Sequence, residues 1–222
     1  MKNVTLFLIV FKLGILNIET KAQEFDRYYY AVQNKFSNYY CPIDEKDYGI
    51  YLDFSNNFTV YIDAFFQNGE VSEAGFMLYD SIYSNFLNKL NAVKIKYEEW
   101  AKIARANKVR DFMKEIESDS CSTTCYFNRY GSTRTIYNVK LHYVFSVKDF
   151  SDRVEYDLFI ITDELVDPDY ENLKCNGVMI CFRNTLEIEN FIANISENKI
   201  EAYKTKLFKE KANQERIDSL FK

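Results

Sequence analysis

The sequence predicts an α+β fold, an antiparallel sheet in the order β-β-α-β-β-β-β-α packed against two long helices. Two alternating apolar runs, Tyr48–Phe54 and Phe58–Ala64, flank the turn signal Ser55-Asn56-Asn57. A long apolar stripe at helical period follows, and alternation then returns from Thr135 to Val147. Strands linked as hairpins, with the helices segregated from them, exclude the βαβ alternation of Rossmann and TIM architectures.

The chain opens with Met1-Lys2-Asn3, an apolar run from Val4 to Leu16 and a polar segment from Asn17 to Ala22. This reads as a cleavable signal peptide over residues 1–22, with small side chains at Thr20 and Ala22 before a cut at Gln23. Residues 23–222 are then expected to form a single domain, periplasmic or secreted. The apolar run is shorter than the roughly 20 residues a spanning helix needs, and no later segment is apolar enough to span.

Tyr48, Ile50, Leu52 and Phe54 alternate on the first strand and Phe58, Val60, Ile62 and Ala64 on the second, which reads as a hairpin with one buried face. After Gln67-Asn68-Gly69 a helix is expected from Asp80 to Arg105, since Ile82, Phe86, Leu90, Val93, Tyr97, Trp100 and Ala104 recur three or four apart. Phe112, Met113 and Ile116 read as a further turn or two of helix. Tyr126–Tyr130, Thr135–Val147, Val154–Ile160 and Val178–Arg183 read as strands. Asn184 and Glu187 form a capping box for a helix to about Ile195, and the signature repeats at Asn198–Glu201.

Removal of the signal segment takes Lys+Arg from 28 to 25 and Asp+Glu from 33 to 32, a net charge of −7. An acidic chain with no long basic run is a poor partner for nucleic acid or anionic lipid. The chain has 18 Tyr and 19 Phe; tyrosine-rich surface can stack on a sugar or a partner protein, and the A/T-rich codons of Phe, Tyr, Ile, Asn and Lys account for the same abundance.

Five cysteines follow the signal segment. Export permits disulfides. Cys41, Cys121, Cys125 and Cys175 are the disulfide candidates, with Cys175 preferred as partner of Cys121 or Cys125. Cys181, inside the apolar run Val178–Phe182, is expected to be free.

Lys96-Tyr97-Glu98-Glu99-Trp100, followed by Ala101, Ala104, Asn107 and Val109, resembles a helix of small exported proteins of the Bacteroidetes, as does the Lys21-Ala22-Gln23-Glu24 cleavage region. The resemblance implies a compartment and brings no activity with it.

Catalytic signals are sparse. His142 is the only histidine, and G-x-S-x-G, Walker A and G-x-G-x-x-G patterns are missing. No catalytic, cofactor-binding or metal-binding residue is assigned and no cofactor is expected. Asp163, Glu164, Asp167, Asp169 and Glu171 crowd a loop around Pro168 without EF-hand spacing and read as solvated. Asp53 and Asp63 are carboxylates placed by the hairpin, and Trp100 is expected in the core. The reading is an exported non-enzymatic protein binding a protein or glycan partner; the alternative is a carboxylate-based hydrolase, glycosidase-like or metal-assisted.

Overall fold

The computed structural model describes residues 40–44, 49–54, 58–66, 71–117, 122–150 and 152–221, all within one unit of the chain, Asn38–Lys222. The signal segment, the Ser55-Asn56-Asn57 turn and Cys121 lie outside them. The fold is α+β with a large antiparallel sheet, as the patterning predicts.

The first strands are β1 (Tyr40–Asp44), β2 (Ile50–Asp53), β3 (Thr59–Asp63), β4 (Phe65–Phe66) and β5 (Val71–Tyr79). Helix α1 (Asp80–Ala106) follows, then β6 (Asp111–Glu117), β7 (Ser122–Arg129), β8 (Ser132–Asp149), β9 (Val154–Thr162), β10 (Leu165–Val166), β11 (Lys174–Cys175) and β12 (Val178–Phe182). Helices α2 (Thr185–Asn194) and α3 (Glu197–Ser219) complete the described chain.

The ladder runs β1-β2-β3-β5-β7-β8-β9-β12-β4, with β6 paired to β8 and β10 to β11. Only Ala64 separates β3 from β4, yet β3 pairs with β5 and β4 with β12. The hydrogen-bonded ladder therefore returns on itself. Ile50, Leu52, Val60, Ile62, Phe76, Phe127, Tyr143, Phe145, Leu158, Ile160 and Phe182 share one core with both the first two helices.

Helix α1 buries Tyr83, Phe86, Leu90, Val93, Tyr97, Ala101 and Ala104. That is the expected stripe turned slightly, so that Ile82 and Trp100 flank it and Tyr83 and Ala101 lie at its centre. Burying each large apolar side chain contributes about 1.5–3 kcal/mol, and this, more than helix propensity, fixes the element. The helix ends where Lys108 turns left-handed (φ 53°) and Val109 N–H donates to Ala104 O at 2.9 Å.

Three expectations are corrected. The segment after Gln67-Asn68-Gly69 first makes a strand, β5, which lies between β3 and β7. Phe112, Met113 and Ile116 belong to a strand, β6, because Asp111–Glu117 pairs with β8 from Lys148 to Tyr143. Residues 135–147 do not keep one face. Asn138 is left-handed (φ 57°) and the β7–β8 register slips between Thr123 and Cys125, so Ile136 packs against the core while Tyr137 is exposed.

The Asn184 cap is present: Asn184 Oδ1 accepts from Glu187 N–H at 2.9 Å. Glu187 Oε2 reaches back to Arg183 N–H at 2.8 Å. No described helix is long and apolar enough to cross a membrane.

Candidate functional site

At one end of β7 and β8 two tyrosines stand out of the sheet. The strands join through Tyr130-Gly131, both left-handed (φ 53° and 75°), with Arg129 opposite Ser132. This is the two-residue turn that matches strand twist and usually takes Asn-Gly. A tyrosine there carries backbone strain, a feature that concentrates at functional positions. Its ring is 74% exposed, with the Arg129 guanidinium 5.0 Å from the ring centroid. Arg129 is in turn fixed by a 2.9 Å hydrogen bond from Nη1 to Asn172 O, in the loop between β10 and β11.

The same loop carries Tyr170, 54% exposed, with the Arg134 guanidinium 5.2 Å from its ring. Asp167 sets this geometry. It is buried, its Oδ1 accepts from Asp169 N–H at 2.8 Å and Tyr170 N–H at 3.0 Å, and its Oδ2 lies 3.3 Å from Arg134 Nε. Asp163, Glu164, Asp169 and Glu171 are exposed around it. The acidic segment is thus solvated at its rim and structural at its centre, and the described residues contain no group of three metal-ligating side chains.

The two hairpin aspartates do not converge. Asp53 pairs with Thr59 while Asp63 lies beside Gly49, to whose carbonyl its N–H donates. Four residues along a strand separate the two positions, about 13 Å at the usual rise. Asp63 accepts from Tyr126 Oη at 2.6 Å and from Tyr51. Burial, against the lowering effect of these bonds, pushes its carboxyl up to about 6. Gly49 is required here: a Cβ on it would come within 2.6 Å of Asp63 Oδ2, and its φ is +52°.

Asp157 on β9 was not singled out by the sequence. It is 7% exposed, its Oδ1 has no hydrogen-bond partner, and burial pushes its carboxyl up to about 7, with Glu155 adding to the rise. Nothing in an alternating strand marks such a residue, because its burial comes from neighbouring strands.

His142 is buried on β8. Its Nδ1 lies 2.9 Å from Glu115 Oε1 and its Nε2 3.5 Å from Asp163 Oδ2, so carboxylates face both ring nitrogens. Trp100 is only partly buried, at the core's margin. Phe145 is edge-on to it at 5.9 Å, and the ammonium groups of Lys114 and Lys96 lie 5.2 and 6.0 Å from its ring.

Cys125 and Cys175, expected to be bridged, are free thiols, buried in the core beside apolar side chains. Burial pushes the Cys125 thiol well up and that of Cys175 to about 11. Cys181 is free, as its apolar strand led one to expect. The side chain of Cys41, like Cys121, lies outside the described residues.

No protein-family model, curated protein or solved structure matches the chain.

The Arg129–Tyr130 and Arg134–Tyr170 pairs bring two exposed aromatic rings and two guanidinium groups to one end of the sheet. The sequence shows the tyrosines and the turn glycine. It does not show that residues 129–134 and 167–172 meet, since that depends on contacts across the sheet.

Proposed function

We propose that the protein is exported and acts by binding a partner protein, without catalysis, through the surface carrying Tyr130 and Tyr170. The observation that carries this is the fixing of two exposed tyrosines, each by an arginine anchored elsewhere in the fold. Tyrosine and arginine are the residue types that dominate binding energy at protein interfaces. A ring already held by its neighbour loses little freedom on binding, which lowers the entropic cost of association. The exposed carboxylates at Asp169 and Glu171 favour a partner that is basic around its contact. The opening 22 residues support export, to the periplasm or beyond.

The test is capture from the cell envelope with residues 23–222 as bait, mass spectrometry of what is retained, and titration of the partner found. Tyr130→Ala with Tyr170→Ala should weaken that binding at least about tenfold while far-UV circular dichroism is unchanged. Undiminished affinity in the double variant would refute the assignment of the surface.

A further inference from the structure

We propose that the outer half of α3 docks on a second copy of this chain, as an antiparallel helix pair about a two-fold axis. Helix α3 leaves the core after its first turns. Ile200 is buried, Tyr203 and Leu207 are half-exposed against the core, and no core residue lies beyond Leu207 among the described ones. From Ala212 to Phe221 the side chains are exposed, apart from a half-exposed Ile217. Leu220 is 68% and Phe221 86% exposed. Phe221 lies in the turn that continues the helix, its N–H donating to Asp218 O at 3.4 Å. An isolated helix of this length is marginal in water and gains its stability by packing an apolar face.

The helix is complementary to itself. Tyr203, Leu207, Glu210, Gln214, Ile217 and Phe221 succeed one another at spacings of 4, 3, 4, 3 and 4, the alternation of a two-helix seam. Spacing and chemistry read the same in both directions: aromatic, aliphatic, polar, polar, aliphatic, aromatic. Laid antiparallel about Ala212, the helix sets Tyr203 against Phe221, Leu207 against Ile217 and Glu210 against Gln214 of the second copy. Each contact is made twice, as a two-fold interface requires. A slip of register would set polar groups against apolar ones, so the central polar pair also fixes the alignment.

Charge selects the antiparallel arrangement. On one flank of the seam Lys204 falls beside Asp218 of the second copy, again twice, against a single approach of Lys211 to its own counterpart at the axis. Gln214 Nε2 donates to Asp218 at 2.7 Å within the chain and has a second N–H for Glu210 of the second copy. A parallel pair would instead set Glu210 against Glu210 in the seam. Lys204 and Asp218 cannot meet within one chain, since the helical rise between them is about 21 Å.

Sedimentation equilibrium of the full chain over a wide range of concentrations tests this. It should show a monomer–dimer equilibrium, and far-UV circular dichroism should lose helical signal on dilution through it. Ile217→Glu, outside the core, should weaken dimerisation at least about tenfold. Lys204→Glu should weaken it about tenfold, and Lys204→Glu combined with Asp218→Lys should restore it, which no contact within one chain reproduces. A monomer at every concentration overturns the proposal and leaves this helix face to a different partner. A dimer indifferent to Ile217→Glu overturns it as well, and a dimer that the charge exchange fails to restore overturns the antiparallel pairing.

Discussion

The phenol of Tyr126 on β7 donates to Asp63 on β3 at 2.6 Å, reaching across β5 above Gly75. Gly75 is opposite both residues, and the missing side chain is what lets the ring lie over the middle strand. A Cβ on Gly75 would stand 2.9 Å from the Tyr126 ring and closer still to the Ile62 carbonyl. Gly75→Ala should therefore destabilise by several kcal/mol, since backbone cannot yield as a flexible side chain does. Urea unfolding measures it; a loss under about 1 kcal/mol would show that the strands separate more easily than their register indicates.

Stability should fall as pH rises through neutrality. Asp157 and Asp63 have folded-state carboxyls raised to about 7 and about 6, above the ordinary value near 3.8. The folded state thus binds more protons than the unfolded state between those values, and stability falls with pH wherever that holds. The favourable state is complete below about pH 4 for these two groups and is lost by about pH 7. Unfolding free energies from urea titration at about pH 5 should exceed those at about pH 8 by a difference on the order of a few kcal/mol. Asp157→Asn should flatten the dependence. A midpoint that climbs from pH 5 to pH 8 would contradict the sign.

Trp100→Ala should cost about 2–3 kcal/mol, less than the 3–5 typical of a fully enclosed large aromatic. The ring is shielded by Phe145 on one side and by lysine stems elsewhere, with part of it in water. Phe145→Ala, at 1% exposure, should cost more. Equilibrium unfolding of both variants gives the order, and a reversal would place Trp100 deeper than described.

The described thiols should be silent to disulfide reagents in the folded protein. Cys125 and Cys175 are buried, and burial raises the thiols of Cys125, Cys175 and Cys181 above the ordinary value, so little thiolate exists near neutrality. Peptide mapping after unfolding should find all three labelled. Native labelling at any of them, at a rate like that of free cysteine, would show that its strand opens readily.

The elements legible in the sequence were those whose period matched their environment. The β2–β3 hairpin, α1 and the Asn184 cap carry their signals locally. β6 did not, because Phe112, Met113 and Ile116 are spaced as on a helix and only pairing with β8 makes Asp111–Glu117 extended. β5 lay hidden beside a strong helical pattern, and its core face of Ala74, Phe76 and Leu78 runs directly into α1. In β8 the alternation was visible but the reversal at Asn138 was not, since a left-handed residue leaves no mark on hydrophobic period. The candidate surface was half legible: Tyr130 and Gly131 announce an exposed turn, while the arginines behind the rings and the role of Asp167 follow from contacts between distant segments.

The return of the ladder on itself rests on two residue pairs, Phe66 with Val178 and Phe65 with Met179. The first pair joins positions 112 apart in sequence. Its chain-closure entropy must be met by a two-residue strand, whereas β8 and β9 are joined along nine register pairs by a short turn. The seam between β4 and β12 is accordingly the contact expected to form last as the chain folds.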